Sequence, residues 1–512
     1  MAKLAVVDVG TNSIHMVLAE IEPDGSYKIL DRFKDMTRLG DGTFQHGFLS
    51  KAAMTKGLEV LRNLTVLARN KGYERIIMVA TSAVREARNG GRFIEEVARQ
   101  TGIRVHVVTG QEEARLIYLG VRHSIDLTDQ PSLVVDVGGG SVELIVGDRK
   151  NLIRARSLKL GAIRLKDQFL TKDPPAKPKI REMQRTIDSQ LKQTLDQLKT
   201  DDFNRLVASS GMAGNLAEIA YLRRTGSPIP QLNLATITLK EMKAIEGLLL
   251  TKRVKDRLAI PGLDPRRVDT LLPAAVVIRR LMERIGHKEV TLSDKAIREG
   301  LIYDFIEKNR EGLRVEQEIP NLRLRNVIYL ARRCRYPKKH SHHIAGLATS
   351  LFDQTQPLHG LGKREREWLQ YAALLHDVGY LIHDRQHHKH AYYVIKNSNL
   401  PGLTAEEIEI IANVARYHRG ALPGTHHLPY KALPSGHRKT LVVLSALLRI
   451  ADGLDRSHFS VIQGVQVKLG KTIRIKLDTL GESELEVWTA RMRSNLFQRV
   501  FGRKVEFVAQ AQ

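Results

Sequence analysis

Apolar positions in the first half of the chain fall into short dense runs separated by longer stretches of helical period. Val6-Val7-Asp8-Val9-Gly10-Thr11-Asn12-Ser13 is an apolar run ending in Asp, then a Gly turn, with Ser five residues after the Asp. Val134 to Ser141 repeats it as VVDVGGGS. A second β-rich run follows each, Ile14 to Ile21 and Val142 to Val146. The pattern predicts one strand–turn–strand unit used twice. Between and after the copies, helical period (Lys51 to Lys71, Gly91 to Gly102, Gln111 to Leu119) alternates with short buried strands (Arg75 to Ala80, Arg104 to Thr109, Arg205 to Ala208). Such alternation predicts α/β layers.

Polar, turn-rich Ser124 to Pro131 marks a boundary, Lys172 to Lys179 reads as a surface loop, and Glu311 to Asn326 reads as a linker. Beyond it the pattern is mainly helical to about Ser460, and Val461 to Val508 alternates like short strands. The expected domains are 1–125, 126–307, 320–460 and 461–512.

The turns suggest chemistry. Glycine after a strand lets backbone N–H groups approach a phosphate with no Cβ in the way. Gly10-Thr11-Asn12-Ser13 and Gly138-Gly139-Gly140-Ser141 suit this, as does Ser209-Ser210-Gly211-Met212, which opens a helix after a strand. Asp8 and Asp136 end their strands beside the turns, where they are placed to hold Mg²⁺ through water, because a hard cation takes oxygen ligands. Glu143, on the returning strand, is expected to face the same cleft. Glu112 and Glu113 open a helix, where a carboxylate can orient or deprotonate a water. Favourable charge at a helix N-terminus explains both equally well.

Composition narrows the partners. The net charge is +25, which calls for nucleic acid, a membrane surface or a polyanionic substrate. Residues 321–512 hold 29 Lys+Arg against 15 Asp+Glu, leaving 52 against 41 for residues 1–320; the shorter part is the more basic and carries 14 of the 19 His. An aromatic content of 5% offers few stacking platforms, so nucleic acid is disfavoured. The single Cys334 excludes an intrachain disulfide and reads as a small buried hydrophobe. The run Leu441 to Leu448 is far short of the about 18 residues that span a bilayer, so a soluble, cytoplasmic protein with no membrane partner is expected.

The stretches DVGTNSIH (8–15), ATSAVREARN (80–89), GQEEARLIYLGV (110–121), DVGGGSVEL (136–144) and SSGMAGNL (209–216) resemble the exopolyphosphatase / guanosine pentaphosphate phosphohydrolase family. HHKHAYYVIKNSNLPG (387–402) and RYHR (416–419) extend the likeness to the long members. The resemblance implies two actin-like (ribonuclease H-like) lobes, an Mg²⁺-dependent phosphoric anhydride hydrolase and a homodimer. It implies Glu113 as catalytic base and Asp8, Asp136 and Glu143 as magnesium-linked carboxylates. It implies phosphate-cradling positions at Thr11, Asn12, Ser13, Gly138, Gly139, Gly140 and Ser141, and a substrate-phosphate contact at Arg85; Ser210 and Gly211 extend that set from the third Gly-rich turn.

The second half carries His340 near a helix start, His376-Asp377 and Asp452, the H…HD…D order of an HD-type metal phosphohydrolase domain. Imidazole with carboxylate suits a divalent metal, Mn²⁺ or Fe²⁺ included. His390 and His418 fall where two-metal versions place extra ligands, with His342, His343 and His388 competing for register. The expected architecture is thus two α/β lobes, a mainly helical HD-type domain and a small C-terminal α+β segment. The expected function is exopolyphosphatase. The rivals are a guanosine pentaphosphate 5′-phosphohydrolase, an actin-like ATP-binding switch and a nucleic-acid binder.

Overall fold

The computed structural model describes residues 2–198, 203–310, 319 and 321–511. The chain divides into two compact units, Met1–Glu318 and Ile319–Gln512.

Unit 1 holds two sheets. The first comprises β1 (Ala2–Val9), β2 (Ile14–Ile21), β3 (Tyr27–Asp35), β4 (Ile76–Ala80) and β5 (Val105–Val107), in the order β3-β2-β1-β4-β5. The second comprises β6 (Ser132–Val137), β7 (Val142–Gly147), β8 (Leu152–Leu158), β9 (Arg205–Ser209), β10 (Thr236–Thr238) and β11 (Glu289–Leu292), in the order β10-β11-β9-β6-β7-β8. Each sheet starts as an antiparallel meander of three strands. A strand parallel to the first then joins its other edge, β4 on β1 and β9 on β6. This duplicated order is the actin-like, ribonuclease H-like arrangement. Helices cover both faces, so β6 and β7 are buried at every position and can be almost wholly apolar.

Leu4 and Val6 of β1, Val134 of β6 and Ile145 of β7 join one buried cluster with the helices Gly110–Arg122 and Ile297–Lys308. Each fully buried aliphatic side chain contributes about 1.5–3 kcal/mol, so this shared core ties the two lobes together. The helix Ile297–Lys308, assigned by sequence to the second lobe, packs on β1 and on Gly110–Arg122 of the first.

Unit 2 is built on the helices Leu322–Arg333, Lys338–His359, Lys363–Leu375, His387–Lys396, Ala405–Arg416 and Ser435–Gly453. A sheet follows, in the order β12 (Ile462–Lys468), β13 (Thr472–Thr479), β14 (Lys504–Ala511). Ile462, Ile473, Ile475 and Phe497 lie in the same buried cluster as Leu444 and Leu447, so the C-terminal segment shares the helical core. Cys334 is buried there, and burial pushes its thiol up.

Two loop expectations change. The Lys172 to Lys179 stretch already turns helical at Lys177, where Ile180 and Met183 begin a buried face. Of the expected linker, 311–318 and 320 lie outside the described residues. Its end is helical from Leu322, because the Asn321 side chain accepts from the Leu324 N–H (3.0 Å) and caps the helix. Among the described residues no helix is long and apolar enough to cross a membrane.

Candidate active site

The two echoing turns have the same geometry. Gly10 N–H donates to the Ser13 carbonyl (3.1 Å) and Gly138 N–H to the Ser141 carbonyl (3.0 Å). In register, Asp8 stands opposite His15 and Asp136 opposite Glu143. Both turns line one cavity of about 300 Å³. Thr11, Asn12, Ser13, Gly138, Gly139, Gly140 and Ser141 all reach it, and so do Ser210 and Gly211 from the third Gly-rich turn. Ser210 has φ 87, the left-handed region that a non-glycine residue seldom adopts, as often found where a site constrains the backbone. The Thr11 hydroxyl accepts from Ala83 N–H (3.2 Å), joining the first turn to the helix Ser82–Glu86.

Three carboxylates converge on the cavity: Asp8, Asp136 and Glu113. Burial pushes Asp8 up to about 6; Arg298 opposes this, while Asp136 and Glu299 add to it. Burial also pushes Asp136 up to about 6, against a hydrogen bond from Ser209. Burial raises Glu113 to about 7, with Arg85 pulling it back and Asp8 and Asp136 adding to the rise. Asp8 Oδ1 is buried with no hydrogen-bond partner in the protein. An unpartnered buried carboxylate oxygen among mutually repelling acids is the donor set a hard divalent cation would satisfy, so the residues fit Mg²⁺.

The adjacent glutamates part company. Glu112 faces outward and pairs with Arg115 (2.8 Å), which also binds Asp304 (2.6 Å). Glu113, one position on, turns inward to the cavity. Glu143 is wholly buried behind the cavity rather than lining it. It accepts from Ser157 Oγ (2.8 Å), and burial together with Glu113 and Asp136 holds its carboxyl well above the usual range.

Arg85, for which the resemblance implies a substrate-phosphate contact, is bonded to Glu113. Its Nη1 donates to Glu113 Oε2 (3.0 Å) and to the Val108 carbonyl (2.8 Å), and it does not line the cavity. Anchored on the Val108 carbonyl, the Arg85 guanidinium holds the Glu113 carboxylate in place.

The cations are what sequence reading missed. Lys34, Arg267 and Arg298 line the cavity with His15. Burial lowers Lys34 to about 8, helped by Arg267 and Arg266. Burial lowers Arg267 as well, partly offset by Asp264. Burial, Arg298 and Lys34 keep the His15 imidazole far below its ordinary range, hence neutral; it bridges the Ser13 hydroxyl (2.7 Å) and Arg298. His15 had a signal, its place opposite Asp8 across the hairpin. The other three come from remote segments, and only the fold brings them together.

Unit 2 gathers its own set. His340, His376 and Asp377 form one buried group and Asp377, His387 and His418 another. Asp377 Oδ2 lies 3.8 Å from His340 Nε2 and 3.4 Å from His376 Nε2. Its Oδ1 lies 3.3 Å from His387 Nε2 and 3.9 Å from His418 Nε2. Asp452 Oδ1 lies 3.8 Å from His340 and 3.7 Å from His376. His390 is not in the set. The helix that begins at His387 turns its first residue inward, and His390 sits a turn later, only partly buried. His387, three residues earlier, stands in the buried group where His390 was expected. His342 is occupied elsewhere, its Nε2 2.8 Å from the Tyr336 hydroxyl.

Taken together, the fold and the first site define a phosphate-handling protein with duplicated α/β lobes. Residues 17–309 match the Ppx/GppA phosphatase family and residues 322–484 match Ppx/GppA phosphatase domain III. The chain belongs to the Ppx/GppA phosphatase family. Among solved structures it is similar to an exopolyphosphatase from Cytophaga hutchinsonii, at 28% identity and TM-score 0.56 over 60% of this chain and 98% of that one. It is also similar to the Aquifex aeolicus member of the Ppx/GppA family, at 25% identity and TM-score 0.52, again over 60% and 98%.

Proposed function

We propose that unit 1 is an exopolyphosphatase that removes the terminal phosphoryl group of linear polyphosphate. The observation that carries this reading is the pairing, in one cavity, of two facing glycine turns with a buried Glu113 raised to about 7 and a cluster of mutually repelling cations. A general base works best when its pKa lies near the working pH. Cations that disfavour one another's charge are relieved by a polyanion.

In this reading the N–H groups of Gly10 to Ser13 and Gly138 to Ser141 hold the terminal phosphate. Glu113, steadied by Arg85, takes the proton of the attacking water as its oxygen bonds to phosphorus. The terminal P–O–P bridge breaks, and the shortened chain leaves as the anion among Lys34, Arg267 and Arg298. Asp8 and Asp136 are the residues that would hold Mg²⁺, which when bound supplies charge neutralisation on the phosphoryl oxygens. Phosphoryl transfer needs little else from a protein than positioning and charge.

Among the described residues no Phe, Tyr or Trp lines the cavity, which favours a substrate without a base over guanosine pentaphosphate. The two are separated by measuring kcat/KM for orthophosphate release from both, with one preparation in Mg²⁺. A higher value on polyphosphate is expected. A higher value on the nucleotide would reassign the substrate, and no release from either would remove the hydrolase reading.

A further inference from the structure

We propose that Arg164 is a positioning residue for the reaction assigned above: it sets the second phosphate turn against the general base by bracing the Gly140 carbonyl and Glu86 at once. This role presupposes that reading of unit 1, and Arg164 performs it without lining the cavity.

Three observations carry it. The first is how the turn is held. The helix Ala162–Phe169 starts against the carbonyls of the turn: Ala162 N–H donates to Gly138 (2.9 Å) and Ile163 N–H to Gly139 (2.8 Å). The third carbonyl, that of Gly140, accepts from the Arg164 side chain, at Nε (2.8 Å). In a planar trans peptide the carbonyl and the following N–H point in opposite directions. Holding the three carbonyls on the helix side therefore turns the N–H groups of Gly139, Gly140 and Ser141 the other way, and these residues line the cavity. Arg164 governs the last of the three.

The second is the far end of the guanidinium. Its Nη2 donates to Glu86 Oε1 (2.6 Å), which also accepts from Ser82 Oγ (3.0 Å). Glu86 follows Arg85 on the helix Ser82–Glu86, and Arg85 holds Glu113. One side chain of the second lobe thus joins the turn that holds the phosphate to the first-lobe helix that steadies the base. The third is the setting. The guanidinium lies 3.9 Å over the Phe44 ring, and the side chain is 13% exposed. Burial pushes the Glu86 carboxyl up, but Arg164 outweighs it, with Ser82 and Lys159 adding, and holds it below its ordinary value, so the pair is ionised. Lys159 also approaches Glu86 (3.5 Å) but is 72% exposed, so Arg164 is the buried partner. A planar fork serves a carbonyl and a carboxylate in fixed directions at the same time, which a point-like ammonium does not.

The test uses the full chain with Mg²⁺ and polyphosphate. Arg164→Met should lower kcat by about 10²-fold, the order that a misplacement of about 1 Å costs. KM, set largely by the cations that hold the rest of the substrate, should change less. Arg164→Lys keeps the charge beside Glu86 without the fork; it should melt at the wild-type temperature and still lose turnover, though less than Arg164→Met. In the Glu113→Gln background Arg164→Met should lower kcat far less than in wild type, because two residues that act through one another are not additive. Orthophosphate affinity, read by calorimetry without turnover, should weaken in Arg164→Met and stay at the wild-type value in Glu113→Gln. That arm reports on the turn even where polyphosphate is not the best substrate. Wild-type kcat and orthophosphate affinity in Arg164→Met would overturn the proposal. So would a fall in kcat of equal size in the Glu113→Gln background, which would mean a general loosening of the lobes.

Discussion

The two clusters solve the problem of buried charge in opposite ways. In unit 1 the converging carboxylates face His15, which is kept neutral, and burial outweighs everything else, so Asp8, Asp136 and Glu113 all rise. In unit 2 burial also pushes Asp377 and Asp452 up, but the surrounding histidines, and Arg493 on Asp452, outweigh it and hold both below their ordinary value. The first cluster holds protons near neutral pH and is suited to exchanging them with a water or a hard cation. The second keeps its carboxylates ionised within a ring of imidazoles. Burial alone therefore does not set a carboxylate's state; the charges sharing its pocket decide.

The sharpest way to break the comparison is Glu113→Gln. This change keeps the shape and the hydrogen-bonding reach toward Arg85 but removes the proton acceptor. Orthophosphate release from polyphosphate should fall by about 10²–10⁴, with KM little changed. Near-normal release in this variant would place the base elsewhere.

Next in size is the response to pH without metal. An acid whose folded pKa is raised binds more protons folded than unfolded. Its contribution is fully present below the unfolded value near 4 and is lost as pH rises through the folded value. For Asp8 and Asp136 that window closes at about 6, and for Glu113 at about 7. Asp377 and Asp452 have the opposite sign, contributing above the ordinary carboxylate value and losing it as pH falls. Thermal melts in chelator should therefore show stability falling between about pH 4 and 7. The fall should amount to a few kcal/mol, because each tenfold change in a group's proton affinity on folding is worth about 1.4 kcal/mol. Asp136→Asn should flatten the fall. Mg²⁺ should stabilise more at pH 8 than at pH 5, because it competes with those protons. A fall that Asp136→Asn leaves untouched would mean these carboxylates are not its cause.

Much of this was legible before the fold. The repeat of Asp, Gly turn and Ser fixed both hairpins, because one local geometry needs one local sequence. The same repeat located Asp8 and Asp136. Glu113 could not be told from Glu112 by spacing, since the direction of the helix Gly110–Arg122 against β1 and the second lobe decides which carboxylate turns inward. Lys34 and Arg298 are at the end of β3 and in the first turn of the helix Ile297–Lys308, 264 residues apart in sequence, and only tertiary structure joins them. His390 was misplaced for a related reason. A His-rich run offers several registers, and the αL residue Gln386 (φ 58) sets where the helix starts and which histidine faces in.

The smallest effect comes from two glycines that look alike in sequence and differ in space. A Cβ at Gly140 would lie 2.3 Å from Ser82 Oγ and 2.4 Å from Phe44 Cζ. Neither neighbour gives way readily. Ser82 donates to Glu86 (3.0 Å), and the Phe44 ring carries the Arg164 guanidinium 3.9 Å above it, itself bound to the Gly140 carbonyl (2.8 Å). Gly140→Ala should cost about 1–3 kcal/mol by overpacking, and it should disturb the phosphate turn enough to raise KM for polyphosphate. Gly346 sits exposed inside the helix Lys338–His359, with nothing within 4 Å of its Cβ position. Gly346→Ala should stabilise the chain by about 0.5–1 kcal/mol, because glycine loses more backbone entropy in a helix than alanine does. Denaturant midpoints of the two variants should thus move in opposite directions from wild type. A Gly140→Ala midpoint equal to wild type with unchanged KM would mean that the two lobes do not meet as closely at this turn as the contacts of Gly140 require.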